Sequence, residues 1–122
     1  MDPRTVARAM AFGRVAFGAA FILAPRLAAA GWIGRDASRA GTKVFITGLG
    51  GRDLALGAGI LSALDKGGAK PWLVAAMASD AGDLLGTLRS RDGIPALGTA
   101  AGVAITASAT AAGAWLATQE DW

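Results

Sequence analysis

Residues 94–118, IPALGTAAGVAITASATAAGAWLAT, decide the fold class of this chain, because they run for 25 residues without a charged side chain. A transmembrane α-helix needs about 20 consecutive apolar residues. A helix on the surface of a soluble bundle would instead need a polar outer face, and this stretch offers only scattered serine and threonine. The sequence therefore predicts that residues 94–118 cross a membrane.

Three further apolar segments precede this one. They cover residues 4–24, 44–64 and 71–88. Pro25 ends the first segment because proline cannot continue a helix, and Pro71 suits the first turn of the third. We predict an all-α fold in which residues 1–122 form one domain, a four-helix transmembrane bundle. Short loops after the second span make consecutive helices antiparallel neighbours.

The connection between the first two spans, residues 25–42, is long for a helical hairpin. It contains Trp32 and Ile33 beside several arginines. Tryptophan is enriched at membrane–water interfaces, and basic amphipathic segments lie there too. We expect this connection to be a short amphipathic segment in the headgroup region.

The composition excludes several classes of function. Hydrophobic residues make up 53% of the chain and charged residues 17%, whereas a soluble domain has about 25% charged residues. Cysteine and histidine are absent, so we expect no metal site and no cofactor, and proton chemistry would need carboxylates, lysine or arginine. The net charge of +3 comes from basic residues that flank the apolar segments. This pattern favours a lipid bilayer as partner and disfavours nucleic acid.

Five charged residues interrupt the spans at nearly one depth. Arg14 is central in the first span, Arg52 and Asp53 lie near the centre of the second, and Asp80 and Asp83 near that of the third. An isolated charge at mid-bilayer costs roughly 2.5–3.5 kcal/mol. These side chains are therefore expected to face inward and pair. In one scheme the two arginines reach the aspartates of the third span, and Asp53 turns toward another helix or subunit.

This cluster is the predicted functional site. The expected ligand-binding residues are Arg14, Arg52, Asp53, Asp80, Asp83 and Thr87, the last of which shares a helix face with the preceding two aspartates. Any acid–base chemistry would fall to Asp53, Asp80 or Asp83. Two arginines against three aspartates leave one negative charge, which a proton, a cation or a cationic ligand has to balance. The alternative is a purely structural set of ion pairs that fixes which helices are neighbours.

Small residues form stripes on two spans and predict close helix packing, within the protomer or between protomers. The stripes are Gly98, Gly102, Thr106, Ala109 and Gly113 in the fourth span, and Thr47, Gly51, Ala55, Ala58 and Ser62 in the second. A second possibility for residues 48–51, GLGG, is an unwound helix whose backbone carbonyls meet a ligand.

The chain resembles the small four-span bacterial membrane proteins grouped as a domain of unknown function. The resemblance rests on Arg14, on Ala24-Pro25-Arg26 and on Gly51-Arg52-Asp53-Leu54 with Gly57; Asp80 and Asp83 complete it. It covers most of the chain and implies a four-helix fold in a bacterial inner (cytoplasmic) membrane. It implies no particular activity.

Three functions are consistent with these features. The first is a midplane site that binds a polar ligand or lipid-like small molecule, or passes a proton or cation. The second is a membrane-embedded acid–base enzyme, an isomerase or cyclase with a lipid-like substrate. The third is a structural subunit, in a homo-oligomer or with a partner membrane subunit, docked through the stripe of the fourth span. A cavity beside Asp80 open to lipid would favour the enzyme, a water-lined path transport, and a packed interior the structural role.

Overall fold

The computed structural model describes every residue, Met1–Trp122, and contains helices but no strands. The helices are α1 (Pro3–Leu23), α2 (Pro25–Ile33), α3 (Ala40–Leu64), α4 (Lys70–Arg89) and α5 (Ala96–Ala117). Short 3-10 turns, Gly34–Ser38 and Arg91–Gly93, lie in two of the connections. The all-α prediction is confirmed, and each of the four apolar segments coincides with one long helix to within a few residues.

Three of the helices, α1, α3 and α5, are long and apolar enough to cross a membrane. Each of the three has large apolar side chains on its outer surface, among them Phe12, Phe45 and Ile105. These features indicate a membrane protein. Helix α4 is not among the three, because Asp80 and Asp83 lower its hydropathy.

Local sequence explains how α1 begins and ends. The Asp2 carboxylate accepts a hydrogen bond from the Thr5 backbone N–H at 2.9 Å and so caps the first turn. Pro3 occupies the first helical position. At the other end Ala24 leaves the helical conformation and Pro25 starts α2. The chain therefore turns at the residue before the proline, as the sequence predicts.

Helix α1 packs along α3 with direct backbone contact. A Cβ atom at Gly18 would lie 2.6 Å from the Gly50 carbonyl oxygen, and one at Gly57 would lie 2.7 Å from the Ala11 carbonyl oxygen. Neither position has room for a side chain. In lipid, small residues at such contacts let dispersion forces act between the two backbones.

The small-residue stripe predicted on the second span does not pack within the protomer. Thr47, Gly51, Ala55, Ala58 and Ser62 are all exposed on the outer side of α3. The α3 glycines that contact α1 are Gly50 and Gly57, and each comes one residue before a member of that stripe. One residue corresponds to a rotation of about 100° around the helix axis. Helix α3 also continues unbroken through residues 48–51, so the predicted unwinding does not occur.

The stripe on α5 packs within the protomer. Gly98 contacts the Trp32 carbonyl oxygen of α2, and Cβ atoms at Gly102 and Gly113 would lie 2.9 Å from the Trp32 indole nitrogen and from Met77 Cβ. Close packing along α5 was thus correctly predicted. Because these glycines already contact α2 and α4, they are not free as a docking face for another subunit.

One end of the bundle is closed by an apolar core. Its members come from α1, α3, α4 and α5 and the α3–α4 connection: Ala7, Ala11, Leu56, Ile60, Leu64, Ala69, Leu73, Ala76 and Leu116. Arg4 links α1 to the end of α3 and to the C-terminal segment. Its guanidinium donates to the Leu64 carbonyl at 2.6 Å and to the Asp121 carbonyl at 2.9 Å. Both chain termini and the α3–α4 connection therefore lie at this end.

At the opposite end α2 turns back against the bundle, and Trp32 makes contacts there that the sequence did not predict. The indole N–H of Trp32 donates to Thr87 Oγ1 of α4 at 3.2 Å. Its backbone packs on Gly98 of α5. Trp32 is thus turned into the protein and links α2 to α4 and α5, whereas an interfacial anchor would point into the headgroups.

Candidate functional site

The structure brings all five interrupting charges together inside the bundle. Arg14 comes from α1, Arg52 and Asp53 from α3, and Asp80 and Asp83 from α4. Arg14, Asp53 and Asp80 are buried, with 8%, 8% and 7% of their surface exposed. The prediction that these groups meet at one level and face inward is therefore confirmed.

Arg14 lies at the centre of the cluster and joins three helices. Its Nη1 donates to Asp53 Oδ1 at 3.0 Å, and its Nη2 donates to Asp80 Oδ2. Nη2 also donates to the backbone carbonyl of Ala76 at 3.2 Å. One guanidinium thus binds groups on α3 and α4 at once, which its planar array of five N–H donors allows.

Arg52 makes a second, two-pronged pair. Its Nη1 and Nη2 donate to the two carboxylate oxygens of Asp83 at 3.0 and 2.7 Å, the bidentate geometry that arginine favours with carboxylates. Nη2 also donates to Asp53 Oδ1 at 3.1 Å. The predicted reach of both arginines to α4 is confirmed. The contact between neighbours Arg52 and Asp53 was not foreseen, because the long side chain bends back along its own helix.

These ion pairs connect two helix pairs that otherwise touch little near the cluster. Helices α1 and α3 pack closely, as do α4 and α5, whereas contacts between α3 and α4 and between α1 and α5 are sparser. Four of the ion pairs join residues of the cluster. The cluster therefore does fix which helices are neighbours, whatever else it does.

Two carboxylate oxygens of the cluster accept no hydrogen bond. Asp53 receives every N–H donor on Oδ1, and Asp80 receives its donor on Oδ2. Only one side-chain oxygen or nitrogen is both fully buried and without a hydrogen-bond partner, and it is Thr99 Oγ1. Asp53 Oδ2 and Asp80 Oδ1, which have no partner, are therefore not fully buried. Both free oxygens are therefore accessible from an open space.

A cavity of about 330 Å³ lies beside the cluster. Arg14, Asp53, Asp80 and Asp83 form its polar wall. The rest of the lining is apolar or small and comes from α1, α2, α3 and α5: Met10, Gly13, Phe17, Phe21, Ala28, Gly31, Trp32, Leu49, Ala101, Gly102, Ile105, Thr106 and Ala109. Its size falls at the lower end of the range of small-molecule sites.

The cavity opens sideways, between α1 and α5. Phe17 of α1 and Ile105 of α5 both line it, and 51% and 56% of their surfaces are exposed. Ile105 lies in the middle of α5, and Phe17 lies between the middle of α1 and its end at Leu23. The mouth therefore lies on the apolar outer surface of the bundle.

Four of the six residues predicted to bind a ligand line the cavity, and two do not. Arg52 lies behind Asp53 and Asp83 and holds them in place. Thr87 is buried, donates to the Asp83 carbonyl at 2.8 Å and accepts from Trp32. Both residues position the wall of the cavity instead of forming it.

The aromatic part of the cavity lining was not predicted from the sequence. Phe17 and Phe21 follow Arg14 by three and seven residues, a spacing that puts them on the same helix face. The signal was therefore present in the sequence. Trp32 could not be found in this way, because its place depends on how α2 folds back.

No protein-family model, curated protein or solved structure matches the chain. Its resemblance to the four-span bacterial family stays a prediction, and the site has to be interpreted from its own geometry.

Proposed function

We propose that this protein is a four-span membrane protein that binds a small amphiphile from within the bilayer. The polar group of the ligand would contact Asp53 and Asp80, and its apolar part would lie against the rest of the cavity. The proposal places the chain in the bacterial inner membrane and in the four-span family that it resembles.

The outer surface of α4 supports a fourth span. Between Lys70 and Arg89 its only charged residues are Asp80 and Asp83, and both pair with arginines inside the bundle. The exposed side chains of this helix are apolar, among them Val74 and Leu85. At about 1.5 Å per residue its 20 residues also reach the thickness of a hydrocarbon core.

The observation that carries the binding function is the sideways cavity with two free carboxylate oxygens in its wall. A purely structural set of ion pairs would be expected to fill its own space, because interiors are close-packed. Passage of cations across the bundle is less well supported, because the apolar core around Ile60 and Leu64 closes one end of it. A mainly apolar pocket with a few convergent polar groups is the usual form of a small-molecule site.

A second candidate function is acid–base catalysis on such a ligand. Asp53 accepts three N–H bonds from the two arginines, whereas Asp80 accepts one. Two carboxyl groups in such different environments can divide the roles of base and acid between them. In this case the bound compound would be recovered chemically changed, whereas a binding protein would return it intact.

Native mass spectrometry in the presence of decylammonium, decanol or decyl sulfate tests the binding function. We expect at least one of the three to bind with one molecule per chain. The variant Ala109→Phe, which places a ring in the cavity, should weaken that binding at least about tenfold. Ala104→Phe is the matched control, because Ala104 lies on the same helix outside the cavity and is exposed. Equal binding to both variants, or no binding of any of the three compounds, would overturn the proposal.

A further inference from the structure

We infer that the ligand of this cavity carries a single positive charge, as an alkylammonium does. The inference rests on the proposed function and deepens it. It follows from three features of the site: the charge of the cluster, the direction of its free hydrogen-bonding groups and the aromatic lining.

The cluster has one negative charge too many. Arg52 and Asp83 neutralise each other in their bidentate pair, which leaves Arg14 facing the two carboxylates of Asp53 and Asp80. The remaining ion pairs of the protein, Arg8 with Asp65 and Arg39 with Asp36, lie in exposed positions outside the cluster. No other cation of the chain pairs with the cluster, so a bound cation would balance it.

The carboxylate oxygens without partners can only bind a ligand group that donates a hydrogen bond. Asp53 Oδ2 and Asp80 Oδ1 have no partner, and an ionised carboxylate oxygen only accepts. The guanidiniums of Arg14 and Arg52 already bind two carboxylates each. An anionic head would have to compete with those carboxylates, whereas an ammonium can donate to the free oxygens without breaking a bond.

The aromatic lining favours a cation as well. Phe17 and Phe21 lie side by side with ring centroids 6.1 Å apart, and Trp32 lines the same cavity. The faces of aromatic rings attract ammonium groups, more strongly where water is excluded. An alkylammonium entering between α1 and α5 would pass these rings on its way to the carboxylates.

A proton on one carboxyl group is the alternative way to balance the charge. The cavity would then be neutral, and a hydroxyl would bind as well as an ammonium. Decylammonium and decanol separate the two cases, because they share a chain and donate hydrogen bonds but differ in charge. Decyl sulfate tests for an anion site.

We expect native mass spectrometry at neutral pH to show decylammonium binding at least about tenfold more tightly than decanol, and decyl sulfate more weakly than both. Asp80→Asn should remove most of the preference for decylammonium. Asp65→Asn removes the same charge from the exposed pair with Arg8 and should leave the preference unchanged. If Asp80→Asn does not fold, the second variant is Phe17→Leu, which should fold because Phe17 is half exposed. Phe17→Leu should weaken the binding of decylammonium more than the binding of decanol.

The outcomes separate this inference from the function on which it rests. Equal binding of decylammonium and decanol, or a preference for decyl sulfate, would overturn the cationic ligand and leave an amphiphile site in place. Absence of binding by all three compounds would overturn the amphiphile site itself.

Discussion

The two halves of the bundle differ in what lies between the helices: packed apolar side chains in one half, and ion pairs beside a cavity in the other. In the apolar half, around Ile60 and Leu64, side chains from different helices fill the space between them and are almost completely buried. In the polar half, around Arg14, charged groups hold the helices together and a cavity of about 330 Å³ lies beside them. None of the nine core residues of the apolar half lines that cavity.

The difference shows how a small membrane bundle can keep a cavity open. Apolar side chains attract one another weakly and without direction, so they stabilise helices by filling space. Ion pairs are directional and fix the helices at the separation that their side chains span. The apolar half can therefore anchor the fold while the polar half leaves room for a ligand.

The largest effect should follow removal of the central cation. Arg14→Ala leaves Asp80 buried without a partner and leaves Asp53 with Arg52 alone, and breaking a buried pair costs about 3–5 kcal/mol. Thermal unfolding in detergent measures the loss. Arg8→Ala is the control, because its pair with Asp65 is exposed and such pairs contribute about 0–1 kcal/mol. If the two variants unfold alike, ion pairs do not hold the polar half together.

Arg52→Ala should cost less than Arg14→Ala, about 1.5–3 kcal/mol, the range for hydrogen bonds to charged groups. The Arg52 side chain is 32% exposed and the Arg14 side chain 8%, so Arg52 is less enclosed by the protein than Arg14. Asp53 also keeps its bond to Arg14 in this variant. The same unfolding assay measures both losses. A larger loss for Arg52 than for Arg14 would show that the centre of the cluster has been assigned to the wrong arginine.

A glycine pair on α3 tests the packing between α1 and α3. Gly57→Ala places a methyl group 2.7 Å from the Ala11 carbonyl oxygen, and such overpacking costs about 1–3 kcal/mol. Gly51→Ala meets no atom within 4 Å, so it should be neutral or slightly stabilising. Unfolding of the two variants compares the faces directly. A loss at Gly51 equal to that at Gly57 would mean that the exposed stripe is itself packed, as it would be in an oligomer.

Much of the polar half could be predicted from the sequence, because the cost of a charge in lipid leaves few choices. Arg14 and Asp80 fall at the same depth in the spans predicted from the sequence, and neither is expected to face hydrocarbon. That both arginines pair with aspartates of α4 follows from depth and charge alone, whereas the partner of each arginine does not. No comparable penalty constrains a glycine, so the face of α3 that packs against α1 was not predicted.

The cavity could not be predicted, because it depends on the space between helices and on α2. The sum of many weak contacts decides whether α1 and α5 touch, and no single residue in the sequence indicates the result. Trp32 illustrates the difficulty. Its position between two predicted spans is typical of an interfacial anchor, yet its hydrogen bond to Thr87 turns it into the protein. That bond requires α4 to lie beside α2, a fact of tertiary structure.

The smallest effect is expected at the outer edge of the apolar half, where Asp2 caps α1. Hydrogen bonds from the Thr5 side chain, and then from the Thr5 backbone N–H, hold the pKa of Asp2 below its ordinary value. The ionised carboxylate is thus favoured by folding, so its stabilising contribution is present above the pKa of the unfolded chain and is lost as pH falls through the lowered value. The melting temperature of the parent should slightly exceed that of Asp2→Asn at neutral pH, and the difference should shrink in acid. A difference in melting temperature that stays constant or grows in acid would show that the Asp2 carboxylate does not stabilise α1 through its charge.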